Sequence, residues 1–496
     1  MPAAVKYVMM DDRINWRYYT EPQINMDGRQ LEWPRARLLG GCSSHNTMVF
    51  VRGHTSDYDH WRQLGCEGWS YADVLPYFQR SESHANGKDD YRGDTGPMQV
   101  RPADFPHILN QVFLDAGVEA GFPYSGDFNG QQQEGVGRFD VNVYNGKRWN
   151  TSRAYLWPVQ TRRNLDVQTN AYVTRILFKS NRAVGLELSI GGRVHKVETS
   201  GKVVLSAGAI NTPQLLMLSG VGEPTELAAH GVPVTIELPA VGKNLQDHLD
   251  IGIQNKCLQP VTLVKYNRPH LKALIGLQWL LFNTGLGTSG HFEVGSFLRT
   301  NSSVASSDIQ HHFLPLAVFD NGRTWPKEHS FQLSVCQLRQ ESRGFLTLRS
   351  ADPSDHPVIQ PNYLQTEEDR RCLRDGVKIT RDIIAQNAFG PYRGAEIQPG
   401  PSCKTDADID AFVRARAETT YHPCGTCKMG TDENSVVDPH LRVVGTEGLR
   451  VADAPVIPAI VSGNLNAPTI MIAEKASDLI LGRVPLPRAD VSIAQV

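Results

Sequence analysis

The chain has no long apolar run: its longest, Leu271 to Phe282, is interrupted by Lys272, Gly276 and Gln278, and it stops short of the roughly 20 residues a membrane-spanning helix needs. It has no excess of either charge. With 50 Lys and Arg against 52 Asp and Glu, neither a basic nucleic-acid surface nor an acidic disordered tail is expected. It is poor in cysteine: eight, irregularly spaced over 496 residues, fit reduced thiols better than a disulfide framework. No apolar segment with a cleavage site follows Met1, so no secretory leader is expected and the cytoplasm is the expected address. What remains is ordinary for a large globular protein. Forty per cent of residues are hydrophobic, and the length suffices for two or three domains, or one large domain in two parts.

The densest chemistry lies near the C-terminus. Tyr421-His422-Pro423-Cys424-Gly425-Thr426-Cys427 opens it and Ser462-Gly463-Asn464-Leu465-Asn466-Ala467-Pro468-Thr469 closes it. Between them, Gly448 to Ala454 reads as a strand that leaves for a loop at Pro455. Ile470 to Ile480 is apolar at helical spacing, with Pro468 in the first turn and Asn464 or Asn466 as the expected cap. A helix N-terminus beside a loop histidine brings together backbone donors, partial positive charge and a titratable base. Cys424 and Cys427 beside His422 and His440 could hold zinc, but no second cysteine pair stands at finger spacing, and no metal is expected.

Three further blocks stand upstream: Arg35 to Asn46, containing Gly40-Gly41-Cys42-Ser43-Ser44-His45-Asn46; Gly208 to Gly222; and Val241-Gly242-Lys243-Asn244-Leu245-Gln246-Asp247-His248. In this order the four blocks resemble the glucose-methanol-choline (GMC) flavoprotein oxidoreductases over nearly the whole chain, Asp11 to Gly482. The wording is most similar to the choline-oxidising members.

The resemblance implies an α/β fold, α+β overall. It comprises a discontinuous, doubly wound FAD-binding domain (1–100, 160–247 and 440–485), a substrate domain with an antiparallel sheet and helices (101–159 and 248–439), and a tail (486–496). The residues agree. Residues 56–83 look helical and 87–96 form a polar loop. Short β pieces follow at 165–167, 171–178, 183–188, 194–197 and 202–206, the last running into a helix at 213–218. Strands at 331–338 and 344–349 belong to the expected antiparallel sheet. One expected unit is missing: the family's opening strand, Gly-x-Gly-x-x-Gly turn and acid-ended second strand. The literal match Gly285-Leu286-Gly287-Thr288-Ser289-Gly290 follows a helix-like segment and is rejected as a dinucleotide site. Either a unit precedes Met1 or half the cofactor site is lost.

The chemistry that the resemblance implies is oxidation of a primary alcohol, most simply choline to betaine aldehyde and onward to glycine betaine. A base takes the hydroxyl proton as hydride leaves for N5 of FAD. His422 matches the catalytic base, Asn466 the second catalytic position, and His312 an alcohol-positioning group. Glu293 is the carboxylate for a cationic substrate. Gly40, Gly41, His45, Asn46, Val173, Asp453, Ala454, Asn466 and Thr469 match cofactor-binding positions. The Cys-Ser-Ser-His-Asn wording makes His45 a candidate covalent anchor for the flavin. The acceptor is a quinone of the respiratory chain, with a peripheral place at the inner membrane, or oxygen in a related oxidase. A homo-oligomer is compatible, and a truncated chain that holds no FAD is the non-enzymatic alternative.

Overall fold

The computed structural model describes residues 1–319, 324 and 326–491. Its largest element is an eight-stranded sheet. Across it run Arg393–Gln398, Leu249–Cys257, Ser330–Gln337, Ile309–Leu314, Val294–Leu298, Gly135–Arg138 and Tyr124–Ser125, with Glu418–Thr419 paired to Asp250 and Leu249. The pairs are antiparallel except the last, Gly135–Arg138 with Tyr124–Ser125.

Alternation along a strand gives this sheet two unlike faces. On Ile309–Leu314 one face meets helices: His311 bonds Thr380 of helix Glu367–Ala385 at 2.9 Å, and Phe313 stacks on Phe113 of helix Ile108–Glu119. His312 and Leu314 point the other way, into a large cavity. Helix Glu367–Ala385 forms because Cys372, Leu373, Gly376, Val377, Thr380, Ile383 and Ile384 recur on one buried face and Thr366 caps its start. The neighbouring residues His311 and His312 therefore have opposite fates, one structural and one facing the cavity.

The second layer begins with a meander of Ala171–Lys179, Arg182–Ile190 and Arg193–Glu198. Val203–Leu205 then pairs in parallel with Leu449–Val451 and leads into helix Gly208–Leu218. That strand-turn-helix unit is the doubly wound piece expected from sequence. The C-terminal helix, Asn466–Leu481, also starts on the cavity.

Three local expectations are corrected, and the polar loop at 87–96 is found with one addition. Residues 165–167 are irregular, since Asp166 and Val167 are exposed and no partner strand lies beside them. The helical stretch 56–83 is two helices, Thr55–Gln63 and Tyr71–Ser81, broken where Gly65 and Gly68 take φ of +89° and +81°. Neither Asn464 nor Asn466 caps the C-terminal helix. Its N-cap is Leu465, and both amides are engaged elsewhere. The polar loop at 87–96 contains Arg92, which is fully buried against Glu82, Asp127 and Asp140. Of the tail, residues 486–491 lie along helix Tyr71–Ser81, with Ala489 N–H on Ala72 O at 2.9 Å, and 492–496 fall outside the described residues. Among the described residues no helix is long and apolar enough to cross a membrane.

Candidate active site

The cavity between the two layers has a volume of about 1730 Å³. That exceeds the few hundred to 1,000 Å³ that suit a drug-sized ligand, so there is room for more than a small alcohol. His312 comes from the sheet, His422 and Tyr421 from the loop after Glu418–Thr419, and Asn464 and Asn466 from the turn into the C-terminal helix. Gly40, Gly41, His45 and Asn46, together with Ala207, Gly208, Asp453, Ala454 and Thr469, line the same cavity.

His422 is held on three sides. Its backbone N–H donates to Asp247 Oδ1 at 2.7 Å, its Nδ1 lies 3.0 Å from both His248 Nδ1 and Thr420 Oγ1, and its Nε2 lies 3.3 Å from Asn464 Nδ2. The amide of Asn464 is oriented by Gln310, whose Nε2 donates to Asn464 Oδ1 at 3.2 Å. Asp247 is itself fixed by the hydroxyls of Tyr363 and Thr419.

Burial sets the charges. It pushes His422 well below the ordinary imidazole value, and the neighbouring His248, His312 and Arg35 add to the effect. His248 and His312 are lowered to about 4, again chiefly by burial. All three imidazoles are neutral near pH 7. His45, lowered to about 3 by burial and by Arg35 and Arg148, is neutral as well.

The sequence expectations divide here. Gly40, Gly41, His45, Asn46, His312, His422, Asp453, Ala454, Asn466 and Thr469 all line the cavity. Val173 and Glu293 do not. Val173 is part of the meander, paired with Leu188. Glu293 is buried one residue beyond the lining Phe292, where its carboxylate accepts from the Ser289 hydroxyl and, at 3.3 Å, from Phe105 N–H. Asn466 does not meet His422. Its amide donates to Asn142 Oδ1 at 3.1 Å, and Asn464, two residues earlier, takes the place beside the base. Sequence reasoning missed Asn464, Asp247, His248 and Thr420 as site residues. The signals were the two asparagines flanking one helix start and the Asp247-His248 pair closing a recognised block.

Several features suit FAD. Gly41 and Gly208, with φ of +53° and +83°, have nothing within 4 Å of where a Cβ would stand, so a ligand can approach their backbone closely. The helices from Gly208 and Asn466 both lack a side-chain cap, leaving N–H groups and a partial positive charge for a pyrophosphate-like anion. Asp453 accepts from Gly208 N–H and Ala454 N–H at 2.7 Å each, which ties these two walls together.

A dinucleotide-sized cavity with two uncapped helix starts and a neutral histidine in its lining fits a flavin-dependent oxidoreductase. The family described as GMC oxidoreductase matches in two parts, over residues 18–250 and 340–473. The chain belongs to that family. It is 50% identical to the mitochondrial choline dehydrogenase of Mus musculus over 495 residues, 99% of this chain and 83% of that protein. It is 46% identical to the oxygen-dependent choline dehydrogenase of Brucella ovis, over 99% of this chain and 89% of that one. Pyridoxine 4-oxidase from Mesorbium loti has a TM-score of 0.88 at 30% identity over 97% of this chain and 91% of that one. Formate oxidase of Aspergillus oryzae, 23% identical with a TM-score of 0.90 over 97% of this chain and 90% of that one, shares the fold.

Proposed function

We propose that the protein oxidises choline to betaine aldehyde, and the aldehyde hydrate on to glycine betaine, with FAD as cofactor. The observation that carries the reading is the convergence of His422, Asn464 and His312 on the same cavity as Gly41, Gly208 and the two open helix starts. The choline dehydrogenases at 46–50% identity supply the substrate.

The site residues act on the hydroxyl. His248 Nε2 lies 3.3 Å from Leu338 O, which can only accept, so that nitrogen carries the proton and Nδ1 of neutral His248 is bare. The Thr420 hydroxyl donates to His248 O at 3.2 Å and offers its lone pair to His422. Both neighbours of His422 Nδ1 are then acceptors. Its proton sits on Nδ1, and Nε2 faces the cavity as a bare base. An alcohol donating to Nε2 can take a second hydrogen bond from Asn464 Nδ2–H, which steadies the oxygen as its proton leaves. His312, beside Asn464 and packed on Phe139 and Phe292, closes that end of the cavity. FAD, when bound along Gly40–Asn46, Gly208, Asp453 and Thr469, supplies the two-electron acceptor.

Choline's permanent cation asks for aromatic and negative surroundings. Phe292 lines the cavity, and Glu293, next in the chain, is buried outside the lining with its carboxylate held by Ser289 and Phe105; burial raises its pKa, and in its ionised form it favours a cation in the cavity. The acceptor that regenerates FAD is a quinone in this reading, with oxygen as the competing one.

The test is turnover of choline by the flavin-loaded protein with an artificial electron acceptor. Betaine aldehyde formation supports the reading. A yellow protein that leaves choline untouched but oxidises an uncharged alcohol rejects it. Glu293→Gln should raise KM for choline several-fold more than for an uncharged alcohol; equal effects remove Glu293 from cation recognition.

A further inference from the structure

The helix Pro269–Phe282 inverts the usual arrangement of a surface helix. None of its residues is buried, and its outward side is apolar: Leu274, Leu277, Leu280, Leu281 and Phe282 are 51–69% exposed. Leu274, Leu277 and Leu281 fall at i, i+3 and i+7, so they form one stripe. On its inner side Trp279 donates to Gly146 O at 2.7 Å, which fixes the helix with that stripe outward. Solitary exposed leucines are ordinary, but a contiguous patch of this kind marks a contact surface.

Charge identifies the partner. From Ile251 to Phe292 the chain contains no aspartate or glutamate, yet Lys265, Arg268 and Lys272 stand at and just before the helix; Lys256, also in this stretch, is paired with Glu328. Lys6 of the N-terminal segment adds to this basic side, close enough to Lys272 for the two to repel. Apolar side chains aimed outward with cations around them are what an interfacial helix presents to anionic headgroups. A second copy of this chain would bring the same positive charge face to face.

The patch adjoins the active cavity. The turn Leu286–Thr288 packs against the helix, and Leu286 belongs to an apolar cluster with Leu263, Leu314, Leu316 and Phe292. The last four of these line the cavity.

We propose that the Pro269–Phe282 helix is a docking surface for an anionic lipid bilayer, which it enters to interfacial depth without crossing. The test is flotation of the flavin-loaded full chain with vesicles of phosphatidylcholine, with and without phosphatidylglycerol. The protein should float with the anionic vesicles and at least tenfold less with pure phosphatidylcholine. Leu277→Glu with Leu281→Glu should abolish flotation while leaving choline turnover in solution unchanged. Lys265→Glu with Arg268→Glu should remove the preference for anionic lipid. These side chains are exposed, so the fold survives their replacement, and unchanged turnover verifies it. Wild-type protein that stays at the bottom of the gradient, or a leucine pair variant that floats like wild type, overturns the proposal. So does a dimer that the leucine pair dissolves in the absence of any vesicle binding, because that outcome assigns the stripe to a second copy.

Discussion

His248 Nδ1 lies 3.0 Å from Nδ1 of His422, with the two rings at 87° to each other. That contact decides which nitrogen of His422 faces the cavity. Replacing His248 with Met removes one of the two acceptors at His422 Nδ1 and leaves Thr420 Oγ1 alone to hold the tautomer. Loss of tautomer control has cost up to about 10⁴-fold in kcat in a serine protease triad, and a drop of about 10-fold or more in kcat, with KM little changed, is expected here. His248→Asn keeps an acceptor near the Nδ1 position and should recover most of the rate. Equal rates for wild type and the Met variant would remove His248 from the mechanism, as would equal losses in both variants together with loss of flavin.

The same neighbourhood fixes a pH dependence. His422 must be neutral to act as base, and burial lowers its pKa well below the ordinary 6.5. The active form therefore persists as pH falls through 6.5 and is lost only below the depressed pKa. The profile of kcat/KM should show no acid limb near 6.5, and a limb centred there would contradict the buried geometry. His422→Ala should cut kcat by about 10²-fold or more with flavin retained.

Asn464, and not the expected Asn466, lies beside His422 Nε2. Asn464→Ala removes the amide beside His422 Nε2 and should lower kcat by about 10²-fold, the scale of losing one stabilising donor. Asn466→Ala breaks a bond to Asn142 at the cofactor wall and should act mainly on flavin retention. Stopped-flow reduction rates and flavin content measured on both variants separate the two effects. The reverse pattern would return the catalytic role to Asn466.

The displacement from Asn466 to Asn464 shows what was legible. The four sequence blocks located the site because each is a continuous run of residues. The parallel strand, the Gly208 helix and the helical C-terminus were equally readable, since each depends on local periodicity and turn chemistry. Which of two asparagines meets His422 depends on how the Leu465 turn enters its helix, and on Gln310 arriving from a strand 154 residues away. No local pattern encodes that. His312 was named from the family resemblance, but the structural role of its neighbour His311 became visible only once the sheet had two faces, helices on one and cavity on the other. Glu293 was expected at the substrate from the family resemblance, but Ser289 and Phe105 hold its carboxylate outside the lining.

His45 faces the cavity as a neutral imidazole, buried to 4% exposure. If it anchors the flavin, acid precipitation of the holoprotein leaves the yellow colour in the pellet, and His45→Ala releases it to the supernatant. Gly40 and Gly41 on the same turn are untouched by that change, so flavin binding itself should persist. Complete release from the wild type would show the flavin to be held without a covalent link.

Asp250 gives the last prediction, one of stability. It lines the cavity on the strand beside Glu418, and burial, with Glu418 and Asp247 as like-charged neighbours, raises its pKa from 3.8 to about 8. Arg29 pairs with Glu418, and among the described residues no cation pairs with Asp250. Between the two pKa values the folded protein holds a proton that the unfolded chain has released, so this group's contribution to stability falls as pH rises from about 4 to about 8. Asp250→Asn keeps the shape and removes the titration. The variant should melt at least about 2 °C above wild type at pH 8 and level with it near pH 4, and the slope of Tm with pH should flatten. Differential scanning calorimetry across that range decides the matter: parallel Tm curves for the two proteins would mean that Asp250 titrates at an ordinary value, its charge met by solvent in the open cavity.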